Sequence, residues 1–317
     1  MTAPASVTAI VATVQDRLDR VVTAAMPPLS RSQARRLIEE GHVQVEGVTA
    51  ARASTVVPAG AQIRVAQPVV ADLEAAARDV PLHVLYEDEE TLVLDKQPGI
   101  IVHPREGVPE VTLIHAVRAR YPEVRLIDES DRGGVVHRLD RDTSGVIVFA
   151  KSEASQYTLK EQWRQRETTK QYLAIVEGDV EPAEGIIDAP LGPDPTDPRR
   201  RAVVERGQSA RSSYRVLEQY GDEAALLLVR IYTGRTHQIR VHMQAVGHPV
   251  IADRLYGQES SHIDRQALHA WRLGVTLASN GATKEFVAPM PDDLRHAVRA
   301  LRARHHATPS KQIGALE

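Results

Sequence analysis

The sequence predicts an α+β protein in two parts: a small N-terminal α/β module, and a larger domain built on one sheet flanked by helices. Three observations carry this. Strand patterning dominates residues 171–290, with helical stretches at about 153–167 and 236–246. A weakly patterned stretch at 66–80 divides the chain. At 317 residues, there is enough chain for two cores. No internal repeat of about 20–50 residues is present.

Residues 1–15 read as a flexible lead-in, and 16–70 as the small module. Ser30-x-x-Gln33 is a capping-box pattern that opens a helix through Ala34, Leu37 and Ile38 and stops at Gly41. His42 to Val45 alternates like a strand and is turned by Glu46-Gly47. A second strand, Gln62 to Val65, follows the turn Pro58-Ala59-Gly60. Residues 71–80 form a linker, with one helical patch in this stretch. The large domain, 81–305, begins with strands at Leu82–Tyr86 and Thr91–Asp95. Asp95 to Pro104 reads as turn chemistry. Val146 to Ala150, an unbroken apolar run between Gly145 and Lys151, suits a core strand. Residues 306–317 read as a flexible tail.

Composition removes several classes of function. With no cysteine, disulfides, cysteine-based zinc sites and thiol nucleophiles are excluded. Met1 to Ile10 has no basic start followed by an apolar run, and the apolar run Ala224–Val229 is far too short to span a bilayer. A cytoplasmic protein with no membrane partner is expected. Lys and Arg number 39 against 42 Asp and Glu, for a net charge of −3, which argues weakly against nucleic acid. Distribution matters more than the sum. Residues 197–215 hold six arginines against two acids, and 295–311 hold five basic residues and no acid.

The densest signal is the charged turn that precedes the core strand. Arg138, Asp140, Arg141 and Asp142 fall within five residues. Charges placed near a core must be paired or they neutralise. A surface turn with a local Arg–Asp pair is the plain alternative.

His137-Arg138-Leu139-Asp140-x-x-Thr143-Ser144-Gly145 resembles the signature of the RluA/RluD-type family of RNA pseudouridine synthases. Lys170-Gln171-Tyr172-Leu173-Ala174 resembles that family's Lys-x-Tyr-x-Ala segment, and Thr233 to Met243 resembles its third motif. Gly247-His248-Pro249, Asp253-x-x-Tyr256-Gly257, Leu268-His269-Ala270 and Ala288-Pro289-Met290-Pro291 follow in the family's order. The resemblance covers roughly residues 16–300. The N-terminal module resembles the S4 RNA-binding domain, with Arg31, Arg35 and Arg36 on its helix as candidate phosphate contacts. It departs from the S4 pattern at Glu46 and Ala61. The resemblance implies the pseudouridine synthase fold, a large mixed, mainly antiparallel sheet flanked by helices. It also implies isomerisation of uridine in RNA, with ribosomal RNA of the large subunit as partner.

Pseudouridine formation breaks the C1′–N1 bond and joins C1′ to C5. No redox change occurs, so no cofactor and no metal are expected. An ionised carboxylate and a pocket for an extruded base are required. Asp140 is the candidate carboxylate, acting on ring or ribose or removing a ribose proton. Arg240 is its candidate counter-charge, through a two-point grip. Tyr172 could stack on uracil and take part in proton transfer. Arg138 could fill the space of the flipped base, clamp a phosphate, or pair with Asp142. Arg235 and His237 complete the RNA-contacting set. Thr143 and Ser144 are expected to fix the turn through backbone hydrogen bonds. His242 and His248 are expected to hold backbone or phosphate groups. Two other readings stand beside the isomerase. An RNA-binding module with a dead catalytic domain is disfavoured by intact Asp140, Tyr172 and Arg240. An Asp-based hydrolase lacks a Gly-x-Ser-x-Gly elbow. A monomer is expected.

Overall fold

The structure, a computed structural model, describes residues 6–27, 29, 31–67, 73–104, 108, 110–127 and 133–307. The chain divides into two compact units, Met1–Asp72 and Leu73–Glu317.

The first unit contains β1 (Ser6–Val11), β2 (Asp16–Arg17), α1 (Leu18–Ala25), α2 (Arg31–Glu39), β3 (Val43–Val45), β4 (Val48–Thr49), β5 (Val56–Val57) and β6 (Gln62–Gln67). Its main sheet runs β1-β6-β3-β4, and β2 pairs with β5. Leu18 and Val22 from α1, Ala34 and Ile38 from α2, and Val43 and Ile63 from the sheet are fully buried together. The lead-in expected at 1–15 is therefore wrong for residues 6–11. Their β-branched residues form a strand antiparallel to β6, with Ile10 opposite Ile63. Ser30 lies outside the described residues, so the capping box is not described. Glu46 and Gly47 both have positive φ, 51° and 77°, as a two-residue hairpin turn demands. The Glu46 carboxylate accepts the Gln62 amide at 2.7 Å, which explains an acid at this turn.

The second unit opens with α3 (Leu73–Ala76), β7 (His83–Glu87), β8 (Thr91–Lys96), α4 (Leu113–Arg120), β9 (Ser144–Ala150), α5 (Glu153–Gln165) and β10 (Thr169–Glu177). It continues through β11 (Glu184–Asp188), β12 (Leu191–Pro193), β13 (Arg201–Val203), β14 (Arg211–Tyr220), β15 (Ala224–Ile231), α6 (Gln238–Ala245), β16 (Leu268–Thr276), β17 (Thr283–Val287) and α7 (Asp292–His305). Nine strands make one sheet in the order β11-β14-β15-β10-β16-β9-β8-β7, with β17 also on β16. Every pair is antiparallel except β9 with β16, so the sheet is mixed and mainly antiparallel.

The linker expected at 71–80 is partly structured. Residues 71 and 72 lie outside the described residues, but Leu73–Ala76 is helical and Ala77 is buried. At the other end α7 closes on His306 in the left-handed conformation, and 308–317 lie outside the described residues.

The parallel pairing of β9 with β16 is the part of the fold that serves the site. Every residue of β9 is buried, as its apolar run requires. His269 and Ala270 lie opposite Ser144 and Gly145. Gly145 has φ +112°, and a Cβ there would stand 2.2 Å from the Ala270 carbonyl oxygen. Only glycine fits. We expect Gly145→Ala to lower the unfolding free energy by about 3 kcal/mol or more. A urea midpoint within error of the wild type would show that β9 and β16 can part without cost.

Candidate active site

Asp140 lies on the loop that enters β9, four residues before the strand begins at Ser144. Its carboxylate accepts a hydrogen bond from Arg240 Nη1 at 2.9 Å. Arg240 projects from α6 and is 5% exposed. The two-point grip expected on Asp140 belongs instead to Asp253. Arg240 Nε and Nη2 donate to the two Asp253 oxygens at 2.6 and 2.8 Å. Asp253 is fully buried and also accepts the amides of Leu255 and Tyr256. Burial by itself would lower the Arg240 pKa. The hydrogen bonds to Asp253 and the charge of Asp140 outweigh it and hold the guanidinium above its ordinary range. Sequence reasoning found Arg240 and Asp140 but missed Asp253. The available signal was that a buried arginine facing one half-exposed carboxylate needs a second acid.

Tyr172 stands on β10 and is 9% exposed. Burial, and then the charge of Asp140, push its hydroxyl pKa above the usual range, so it is neutral. Asp140, Tyr172 and Arg240 line one cavity of about 470 Å³. Val135, Ile231 and Leu268 give it apolar walls. His137 stacks on Trp163, 4.7 Å between ring centres, and its Nε2 accepts the Val148 amide at 3.0 Å. Burial pulls the His137 pKa down to about 3, so the ring is neutral and structural.

His237 is the residue before α6 and has φ 58°. That strained turn is why the helix starts at Gln238 rather than 236. Tyr256 Oη accepts the Arg201 amide at 2.7 Å and lies 2.9 Å from His237 Nδ1. The other ring nitrogen, Nε2, lies 3.9 Å from the Asp140 carboxylate. Burial lowers the His237 pKa, opposed by the charge of Asp140.

Arg138 is exposed on the rim of the same cavity. No pair with Asp142 forms, and among the described residues no acid partners it. Arg235 is tied back by Nε to the Ser209 carbonyl and by Nη1 to Gln208, each 3.1 Å. Gln238, 3% exposed, accepts from Thr233 and from the Arg235 amide, which fixes the loop before α6.

The Asp140 loop is held from below. Lys96, 1% exposed, donates to the carbonyls of Gln97, Ile100 and Arg141 at 2.8–2.9 Å. Gln266 donates to Thr143 Oγ1 at 2.8 Å, and Arg265 reaches the Asp142 carbonyl and Ser144 Oγ at 2.9 and 3.2 Å. Thr143 and Ser144 thus fix the turn through side chains of another segment, not through the local backbone bonds expected. Arg265 is itself gripped by Asp293 of α7 at 2.6 and 2.9 Å. His269 Nδ1 accepts from Ser144 Oγ at 2.9 Å. His242 and His248 do hold backbone: the Ala189 and Glu177 carbonyls, at 3.0 and 2.9 Å.

In the first unit Arg31 pairs with buried Asp19 at 3.0 Å, Arg35 with Glu39 at 2.8 Å and Arg36 with Glu40 at 2.8 Å. All three side chains stay about half exposed or more. Among the described residues no cluster of three or more histidine or acid side chains could hold a metal, and no helix is long and apolar enough to cross a membrane.

An arginine-held carboxylate beside an aromatic ring, in a cavity rimmed by arginine, suits ionic chemistry on a flat nucleobase; this is the equipment of an RNA-modifying isomerase. Comparison with known proteins agrees. Residues 90–245 match the RNA pseudouridylate synthase family, and residues 16–63 match the S4 domain. An uncharacterised RNA pseudouridine synthase of Chloroflexus aurantiacus is 45% identical over 295 residues, 92% of each chain. The ribosomal large subunit pseudouridine synthase D of Nitrosomonas europaea is 38% identical, covering 94% of this chain and 88% of its own. The solved human RNA pseudouridylate synthase domain containing 1 superposes with a TM-score of 0.54 at 27% identity, over 73% of this chain and 96% of its own. The chain belongs to the RNA pseudouridine synthase family, of the RluA/RluD type, and is an isomerase of uridine in RNA.

Two predictions follow from this site. Asp253→Asn replaces the two-point carboxylate grip on Arg240 with a neutral amide, so uridine turnover should fall about a hundredfold while the far-UV spectrum holds. Wild-type turnover would mean that Asp253 does not aim Arg240. The second concerns acid. Burial holds His269 down to about 4, against 6.5 when free. The unfolded chain therefore takes up protons first. Stability is full above pH 6.5, falls as pH drops towards 4, and levels off below, a loss of about 3 kcal/mol. Urea midpoints across that window should show a shallower slope in His269→Gln; an unchanged slope would exclude this histidine.

Proposed function

We propose that this protein isomerises uridines of large-subunit ribosomal RNA, with Asp140 as the essential carboxylate, Arg240 as its counter-charge and Tyr172 as the ring against which uracil packs. One observation carries the reading: the Arg240–Asp140 hydrogen bond, 2.9 Å, in the cavity that Tyr172 lines. In the reaction the C1′–N1 bond breaks, the base turns, and C1′ bonds to C5. The proton lost from C5 is matched by one gained at N1, so the product has the formula of the substrate. Asp140 either adds to the substrate or takes a ribose proton, and in both roles the Arg240 guanidinium, 2.9 Å away, faces the carboxylate as its counter-charge. Tyr172, neutral and close by, offers a hydroxyl for proton transfer near C5. The large-subunit assignment rests on the names of relatives such as the enzyme of Nitrosomonas europaea.

Arg138, Arg235 and His237 line the same cavity and form the RNA-contacting set there. Arg31, Arg35 and Arg36 of the S4 domain supply a second set of cations for RNA. Every catalytic group comes from one chain, so a monomer suffices, and ribosomal RNA as substrate places the work in the cytoplasm.

Asp140→Asn keeps the shape of the site and removes the charge. We expect it to bind RNA and turn over at less than about a thousandth of the wild-type rate. Pseudouridine mapped in ribosomal RNA from cells lacking the gene should reappear with the wild-type gene and stay absent with the Asn variant. Large-subunit RNA with an unaltered pseudouridine pattern after loss of the gene would overturn the substrate assignment.

A further inference from the structure

Lys170 lies two residues before Tyr172 on β10 and lines the same cavity. It is 6% exposed. Among the described residues its ammonium has no acid within salt-bridge distance and no hydrogen-bond acceptor. Nζ lies over the face of Trp163, 5.8 Å from the ring centre. Other buried cations of this domain are satisfied. Lys96 has three carbonyls, Arg240 has two carboxylates, and Arg265 has Asp293. A buried ammonium without a counter-ion is costly to keep, and an aromatic face offsets only part of that cost.

The groups that face Lys170 do not supply the missing charge. His137 is neutral, Tyr172 is a neutral phenol, and Arg166 at the end of α5 is a like charge. Lys160, exposed on α5, lines the same cavity and adds a second cation at its edge. Uracil carries no charge and cannot balance them. The strand that carries it can. Residues two apart on a strand share a face and lie about 7 Å apart, which sets the ammonium beside the space for the base on Tyr172. We propose that Lys170, with Lys160 at the rim, binds a backbone phosphate flanking the flipped uridine. Burial, helped by the charge of Arg166, holds Lys170 down to about 8, as expected for a cation still waiting for its anion.

The inference rests on RNA uridine as the substrate, so the test reads binding and turnover separately. The probe is a synthetic ribosomal RNA fragment spanning a mapped uridine, made with a single uncharged methylphosphonate at each flanking position in turn. Lys170→Met should weaken binding about tenfold, flatten the log–log salt dependence by about one unit, and raise KM more than it lowers kcat. Lys170→Arg should restore most of the affinity. One methylphosphonate should cost the wild type as much as the Met substitution does, and cost the Met variant nothing further. If every methylphosphonate costs both proteins equally, or if Lys170→Arg binds no better than Met, the phosphate site is wrong. Non-additivity in binding without any pseudouridine formed would keep the phosphate site and remove the substrate assignment instead.

Discussion

Everything at this site depends on keeping one guanidinium charged, aimed and dry. Arg240 sits in α6, almost without solvent, and makes three directed hydrogen bonds to two acids. Neither acid is dispensable in this arrangement. With Asp140 alone, the guanidinium would have one directed bond and could swing. With Asp253 alone, it would be neutralised and aimed, but would do nothing. The grip of Asp253 converts Arg240 from a flexible charge into a fixed one. The cost of burying an arginine is offset by Asp253, which does not line the cavity, and this leaves Asp140 partly exposed and facing it.

A fixed arginine is useful only against a fixed loop. The segment 140–143 carries no regular structure, yet each of its backbone turns is held by something buried. Lys96 reaches it from β8, and Arg265 and Gln266 reach it from the segment before β16. Gly145 then lets the chain enter the sheet against Ala270 without a side chain in the way. This is a functional loop on a rigid frame, with polar side chains doing the bracing. Such bracing is demanding, because each buried donor left unpaired would cost as much as a lost core contact. Among the described residues these donors are paired, and the one buried cation near the site that lacks an acceptor is Lys170.

What the sequence showed and what it hid divide along physical lines. Strands with strong local pattern, such as Val146–Ala150, and the helix from Arg31 were legible, because apolar period and helix ends are local signals. Asp140, Tyr172 and Arg240 were legible because their motifs are long. Strand β1 was missed because its pattern is short and two of its valines, Val7 and Val11, remain exposed. Asp253, Lys96 and Arg265 were missed for a different reason. Their partners lie 13, 45 and 123 residues away in sequence, and nothing local marks a side chain as a brace. The departure from the S4 pattern at Glu46 has a structural reason that is not local in sequence, its bond to the Gln62 amide.

The same pairing logic reaches the hairpin of β12 and β13, which carries three consecutive arginines at 199–201. Tyr256 lies between Arg200 and Arg240, each guanidinium 5.0 Å from its ring centre. Its hydroxyl joins the Arg201 amide to His237 Nδ1. Arg199 and Arg200 are turned towards Asp197 and Asp194, at 2.7 and 3.7 Å. The arginine-rich hairpin is thus joined by two hydrogen bonds to His237, whose Nε2 lies 3.9 Å from the Asp140 carboxylate, and by one shared ring to Arg240, which holds that carboxylate.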